Sequence, residues 1–143
     1  MRPLVAMVLA LGLVACGKPA ELHADKAWIR LPAVPGRPAA AYLAITGGAE
    51  KATLLAVSTP VALRAELHES MAHGGMMSMA AIPQVDVAPG VTVTFAPGGK
   101  HVMLFDVAPT LKPGATAPLD LQFAEGRTLK VDAKVIGAGD PAP

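Results

Sequence analysis

Only one of the 143 residues is a cysteine, Cys16, and this excludes more chemistry than any other feature of the composition. No disulfide can close within the chain, and no thiolate zinc cluster can be built from a single thiol. A long apolar run is also missing: Leu4 to Val14 falls well short of the roughly 20 residues a membrane-spanning helix needs. Charge of one sign is not in excess. Beyond Arg2, eleven basic and eleven acidic side chains balance, so there is no basic footprint of a nucleic-acid binder. There is no Gly-rich phosphate loop, no Gly-x-Ser-x-Gly elbow and no carboxylate-rich metal cluster, which points away from an enzyme. No internal repeat is visible.

The amino terminus has the order of an export signal, with Arg2 followed by the apolar run. It ends in Leu13-Val14-Ala15-Cys16-Gly17, which resembles the lipobox of bacterial lipoproteins. On that reading residues 1–15 are removed, and Cys16 becomes the acylated first residue that holds the protein to a membrane on the periplasmic, extracytoplasmic side. Gly17 rather than Asp after the cysteine leans toward outer-membrane sorting. A lipid on Cys16 leaves no free thiol, so cysteine nucleophiles and cysteine-containing copper centres are excluded as well. The remaining 128 residues are the size of one domain. Residues 16–20 are expected as a tether, 21–136 as a folded β-domain and 137–143 as a flexible tail rich in Gly, Ala and Pro.

Within the domain, short apolar stretches alternate with Gly and Pro punctuation, among them Gly47-Gly48, Gly74-Gly75, Pro97-Gly98-Gly99 and Glu125-Gly126. That spacing leaves room for strands and for no long helix. Val91, Val93 and Phe95 alternate with polar residues, as do Leu119, Leu121 and Phe123, and then Leu129, Val131 and Val135. Period two predicts half-buried strands. Eight or nine of them make an all-β fold, a β-sandwich or partly closed Greek-key barrel.

Histidine and methionine are distributed unevenly. Met71, Met76, Met77 and Met79 fall within nine residues, with His68 and His73 in or beside that stretch, and Met103 lies two residues from His101. A hairpin over residues 61–81 turning at His73-Gly74 would set His68 opposite Met79 and Met71 opposite Met76, with opposed β-carbons about 5 Å apart. His101 and Met103, at i and i+2 of a later strand, share a face. Two imidazoles and two thioethers form a neutral, soft donor set that suits Cu(I) and is poor for Mg, Ca or Mn. Thioethers need no deprotonation and form no disulfide, so such a site survives in an oxidising compartment. Met71, His73, Met76 and Met77 are either an auxiliary site or a mobile turn whose methionines shield the ion.

The spacing His68, ten residues, Met79, twenty-one residues, His101, one residue, Met103 resembles the His-x10-Met-x21-His-x-Met pattern of the PCuAC family of periplasmic copper chaperones, gap for gap. The resemblance extends through Ala27-Trp28-Ile29-Arg30, Ala41-Tyr42-Leu43, Glu66-Leu67-His68 and Pro97 to Leu104, about residues 22 to 136 in all. It implies a cupredoxin-like β-barrel, one Cu(I) per chain on those four residues, and transfer to an acceptor. In relatives the acceptor is the dinuclear copper centre of cytochrome c oxidase, often with a Sco-type protein. The His- and Met-rich tail that some relatives carry for a second, Cu(II) ion has no counterpart in Gly137 to Pro143. Copper buffering without a dedicated acceptor uses the same donors, and the sequence does not separate the two roles.

Overall fold

The computed structural model describes residues 17–143; the expected export signal and Cys16 lie outside them. Ten strands follow one another: β1 (His23–Arg30), β2 (Ala39–Thr46), β3 (Ala52–Ser58), β4 (Ala62–His73), β5 (Met76–Ala81), β6 (Val85–Val87), β7 (Thr92–Thr94), β8 (Lys100–Val107), β9 (Thr116–Phe123) and β10 (Thr128–Ile136). A single 3-10 turn, Ala124–Gly126, joins β9 to β10, and there is no α-helix among the described residues. The count exceeds the expected eight or nine because β6 and β7 are only three residues long.

Alternation produces these elements. In β9, Ala117, Leu119, Leu121 and Phe123 are buried while Pro118, Asp120 and Gln122 face outward, so every second side chain leaves water. Leu119, Leu121 and Phe123 each contribute about 1.5–3 kcal/mol on burial. In β10 the charges of Lys130, Asp132 and Lys134 alternate with the inner face, although burial is complete only at Ala133 and Val135. The Val91, Val93, Phe95 alternation is only partly used: Phe95 is buried, Val93 is half-buried and Val91 is exposed in the turn before β7.

The strands form one sheet in the order β5-β4-β8-β2-β1-β10-β9-β3-β6, with β7 paired to β2. β1 and β10 run parallel; the other pairs are antiparallel. Ile29, Leu43, Leu54, Val102, Leu119 and Val135 come from across this path yet belong to one core cluster, so the sheet curls around a common interior. A smaller cluster of Trp28, Tyr42 and Ile136, with Ala40 against it, sits on the outer face. Residues 137–143 leave β10 under the hold of Arg30, whose guanidinium donates to the carbonyls of Gly137, Ala138 and Asp140.

At one end of the sheet, β4 outruns its partner. Its ladder with β8 stops at the Glu69–Lys100 pair, and residues 70–79 continue as a two-stranded arm with β5 on the free edge. Gly74 and Gly75, with φ of 58° and 81°, form the tip. Two successive positive φ angles define the tight turn whose twist matches the flanking strands, and glycine adopts them without a Cβ clash.

Candidate metal centre

The turn that leads into β8 prepares the site. Ala96 accepts a hydrogen bond from the Gly99 amide across Pro97-Gly98, and Gly98 has φ of 84°, the left-handed residue such a turn requires. The Gly99 carbonyl, turned back by this loop, accepts from two directions at 3.0 Å: the Ser70 amide at the root of the arm and Nδ1 of His101. A carbonyl can only accept, so His101 carries a proton on Nδ1, and in the neutral ring Nε2 is then the nitrogen with a lone pair to offer a metal. That Nε2 lies 3.0 Å from Sδ of Met79.

His68 is directly opposite His101 on β4, and their rings lie 5.9 Å apart. Its Nε2 is 3.0 Å from Oε2 of Glu66. The hydrogen bond with His68 first, and then the neighbouring Arg64 guanidinium, hold the Glu66 carboxyl below the ordinary carboxylate range, so the oxygen accepts and His68 donates. The lone pair of His68 therefore sits on Nδ1. Among the described residues this is the buried side-chain polar atom that has no hydrogen-bond partner. Leaving such an atom unmatched costs about 1–3 kcal/mol, and a bound cation would satisfy it.

Met103 is opposite Glu66 and on the same face as His101, two residues along the β4–β8 ladder from the histidine pair. All four residues singled out from the sequence thus lie on one face, and the structure joins His101 to Met79 directly. The hairpin register differs from the expected one. The turn is Gly74-Gly75 rather than His73-Gly74, so His68 pairs with Ala81, Met79 with Ser70, and His73 with Met76. A shift of two residues preserves the face, since side chains alternate with period two, and Met79 reaches across β4 instead of sitting opposite His68.

The remaining candidates do not form one group. Met77, opposite Ala72, projects on the Met79 side of the arm, whereas Met71, His73 and Met76 alternate to the other side. No cluster of three or more His, Cys, Asp or Glu side chains able to hold a metal exists among the described residues, so a metal held here would need methionine sulfur.

Two features escaped the sequence reading of the site. Glu66 sets the tautomer of His68, and an i, i+2 carboxylate beside a histidine on a strand was the available signal. Tyr42 lies 6.4 Å from the His101 ring and 4.4 Å from Trp28, so an aromatic wall closes the side of the site away from the arm. His101 is 5% exposed although it points away from the main core.

Residues 22–135 match the family described as "Putative lipoprotein LpqE-like". The chain belongs to this LpqE-like family. A "Putative lipoprotein Lxx21020" of Leifsonia xyli subsp. xyli is 28% identical over 94% of this chain and 89% of its own length. Among solved structures, the solution structure of the Cu(I) form of DR1885 from Deinococcus radiodurans is 34% identical, covering 77% of this chain and 76% of that one, with a TM-score of 0.59. The copper-bound PCuAC domain of PmoF2 superposes with a TM-score of 0.66 at 21% identity, over 83% of this chain and 97% of that domain. The LpqE-like chain accordingly has the cupredoxin-like β fold of PCuAC domains.

Proposed function

We propose that this protein is an extracytoplasmic copper carrier that binds one Cu(I) tightly through His68, Met79, His101 and Met103 and passes it to an acceptor protein. The observation that carries this reading is the approach of His101 Nε2 to the Met79 sulfur at 3.0 Å, on the face that also holds His68, whose buried Nδ1 has no partner among the described residues. Two imidazoles and two thioethers hold Cu(I) without adding charge, and neutral soft donors are a poor fit for hard cations. The names of the solved neighbours, a Cu(I) form and a copper-bound domain, support copper as the cargo.

The role is carriage rather than catalysis. Met79 is 59% exposed and comes from an arm, so an incoming donor can displace it while the histidines retain the ion. The acceptor in this reading is the dinuclear copper centre of cytochrome c oxidase, reached directly or through a Sco-type thiol protein. The lipobox and the lipoprotein names of the family and its relative support anchoring through Cys16.

The deciding experiment is an anaerobic Cu(I) titration of the purified protein against a competing chelator, beside a His101→Ala/Met103→Ala variant and a His73→Ala control. One tight equivalent that disappears in the double variant and persists in the control is expected. Equal binding by the double variant overturns the four-donor assignment.

A further inference from the structure

We propose that the far side of the β4–β5 arm carries a second, weaker Cu(I) site formed by Met71, His73 and Met76. This builds on the copper cargo proposed above but uses different residues on the opposite face.

The placement follows from the register. His73 and Met76 are a directly opposed pair flanking the Gly74-Gly75 tip, which sets their β-carbons about 5 Å apart. Met71 is two residues from His73 on the same strand and so shares its face. An imidazole and two flexible thioethers therefore converge on one side of the tip, while Ser70, Met77 and Met79 alternate to the other. These methionines fill no core: Met71 is 42% and Met76 is 76% exposed. The arm has left the barrel by this point: the β4–β8 ladder ends at Glu69, and residues 71–81 are all exposed.

Donor chemistry selects the ion. The acidic group on this face, Glu69, is two residues from Met71 and is engaged by Lys100 at 2.9 Å. What remains is neutral and soft, which favours Cu(I) over Mg or Ca. Three donors on an exposed ribbon hold an ion less firmly than four donors against a barrel wall. β5 is an edge strand, so its outer side is open between the two faces. Cu(I) captured at the tip can pass around that edge to Met77 and Met79 by exchange of donors, with no change of oxidation state and no proton moved at sulfur.

The test is anaerobic Cu(I) titration of the purified protein labelled with carbon-13 in the methionine methyl groups, followed by NMR. The Met79 and Met103 methyls should shift with the first equivalent and the Met71 and Met76 methyls with further Cu(I). In a His73→Ala variant the second phase should weaken at least tenfold while the first is unchanged. Met71 and Met76 methyls that stay fixed in excess Cu(I), or respond equally in the His73→Ala variant, overturn the arm site. A response at Met71 and Met76 without one at Met79 and Met103 keeps the arm site and overturns the four-donor centre.

Discussion

Met79 reaches over β4 to place its sulfur 3.0 Å from Nε2 of His101, although β4 lies between their two strands. Neighbouring strands lie about 4.8 Å apart, so the two side chains together bridge about two strand widths. Alanine at position 79, with no side chain beyond Cβ, cannot make it.

Glu66 should matter for metal affinity without touching the metal. Removing the group that orients a histidine donor typically costs about 10–100-fold in affinity, and Glu66→Ala is expected to fall in that range. Chelator competition reads the change, and circular dichroism should show the fold intact. Glu66→Gln, which can still accept from His68, should recover most of the loss.

The arm tip can be perturbed separately. Gly75 has φ of 81°, where a side chain costs about 1–2 kcal/mol, and a β-branched residue is the least tolerant. Gly75→Val should speed amide hydrogen exchange from Ser70 to Met79 and weaken Cu(I) binding. Exchange in β9 and β10 should remain at the wild-type rate.

Leu119 is fully buried in the main core, and Leu119→Ala should lower unfolding free energy by about 2–5 kcal/mol in urea denaturation. Leu63 provides the contrast. It is 86% exposed, and Leu63→Ala should change stability by no more than about 0.5 kcal/mol.

Tyr42 is the sole tyrosine of the chain, so its titration can be followed cleanly by tyrosinate absorbance. Burial raises its pKa above the ordinary 10.0, with Arg30 opposing part of the effect. The folded state thus keeps the phenol proton more tightly than the unfolded state. Its contribution to stability is complete below the unfolded value and is lost as pH rises through the folded one. Trp28→Ala, which opens one side of the ring, should move the absorbance transition back toward 10.0.

Much of this arrangement was legible in the sequence because alternation is a local property. Leu119, Leu121 and Phe123 announce their strand, and His101 and Met103 share a face whatever the fold does. Register is not local. His73-Gly74 and Gly74-Gly75 are both plausible tips, and only the second lets glycine supply both positive φ angles, which moves every pair across the arm by two. The division of Met71, His73 and Met76 from Met77 follows from that register and could not be read before it.

Glu66 and Tyr42 were missed for another reason. Each acts through a neighbour on the folded sheet: Glu66 by fixing a tautomer, Tyr42 by covering an imidazole edge. The i, i+2 spacing to His68 was the one local trace of Glu66, and Tyr42 left none.

The overhang of the arm separates two clocks. Three donors of the proposed centre stand on β4 and β8 within the shared ladder, while Met79 stands on the free-edge strand of the ribbon that projects from it. Fraying of that ribbon withdraws one sulfur without opening the barrel, since local openings need far less free energy than global unfolding. The lifetime of bound cargo is then governed by the arm and the lifetime of the fold by the core. A substitution that raises the melting temperature through β9 or β10 leaves the pace of metal release where it was.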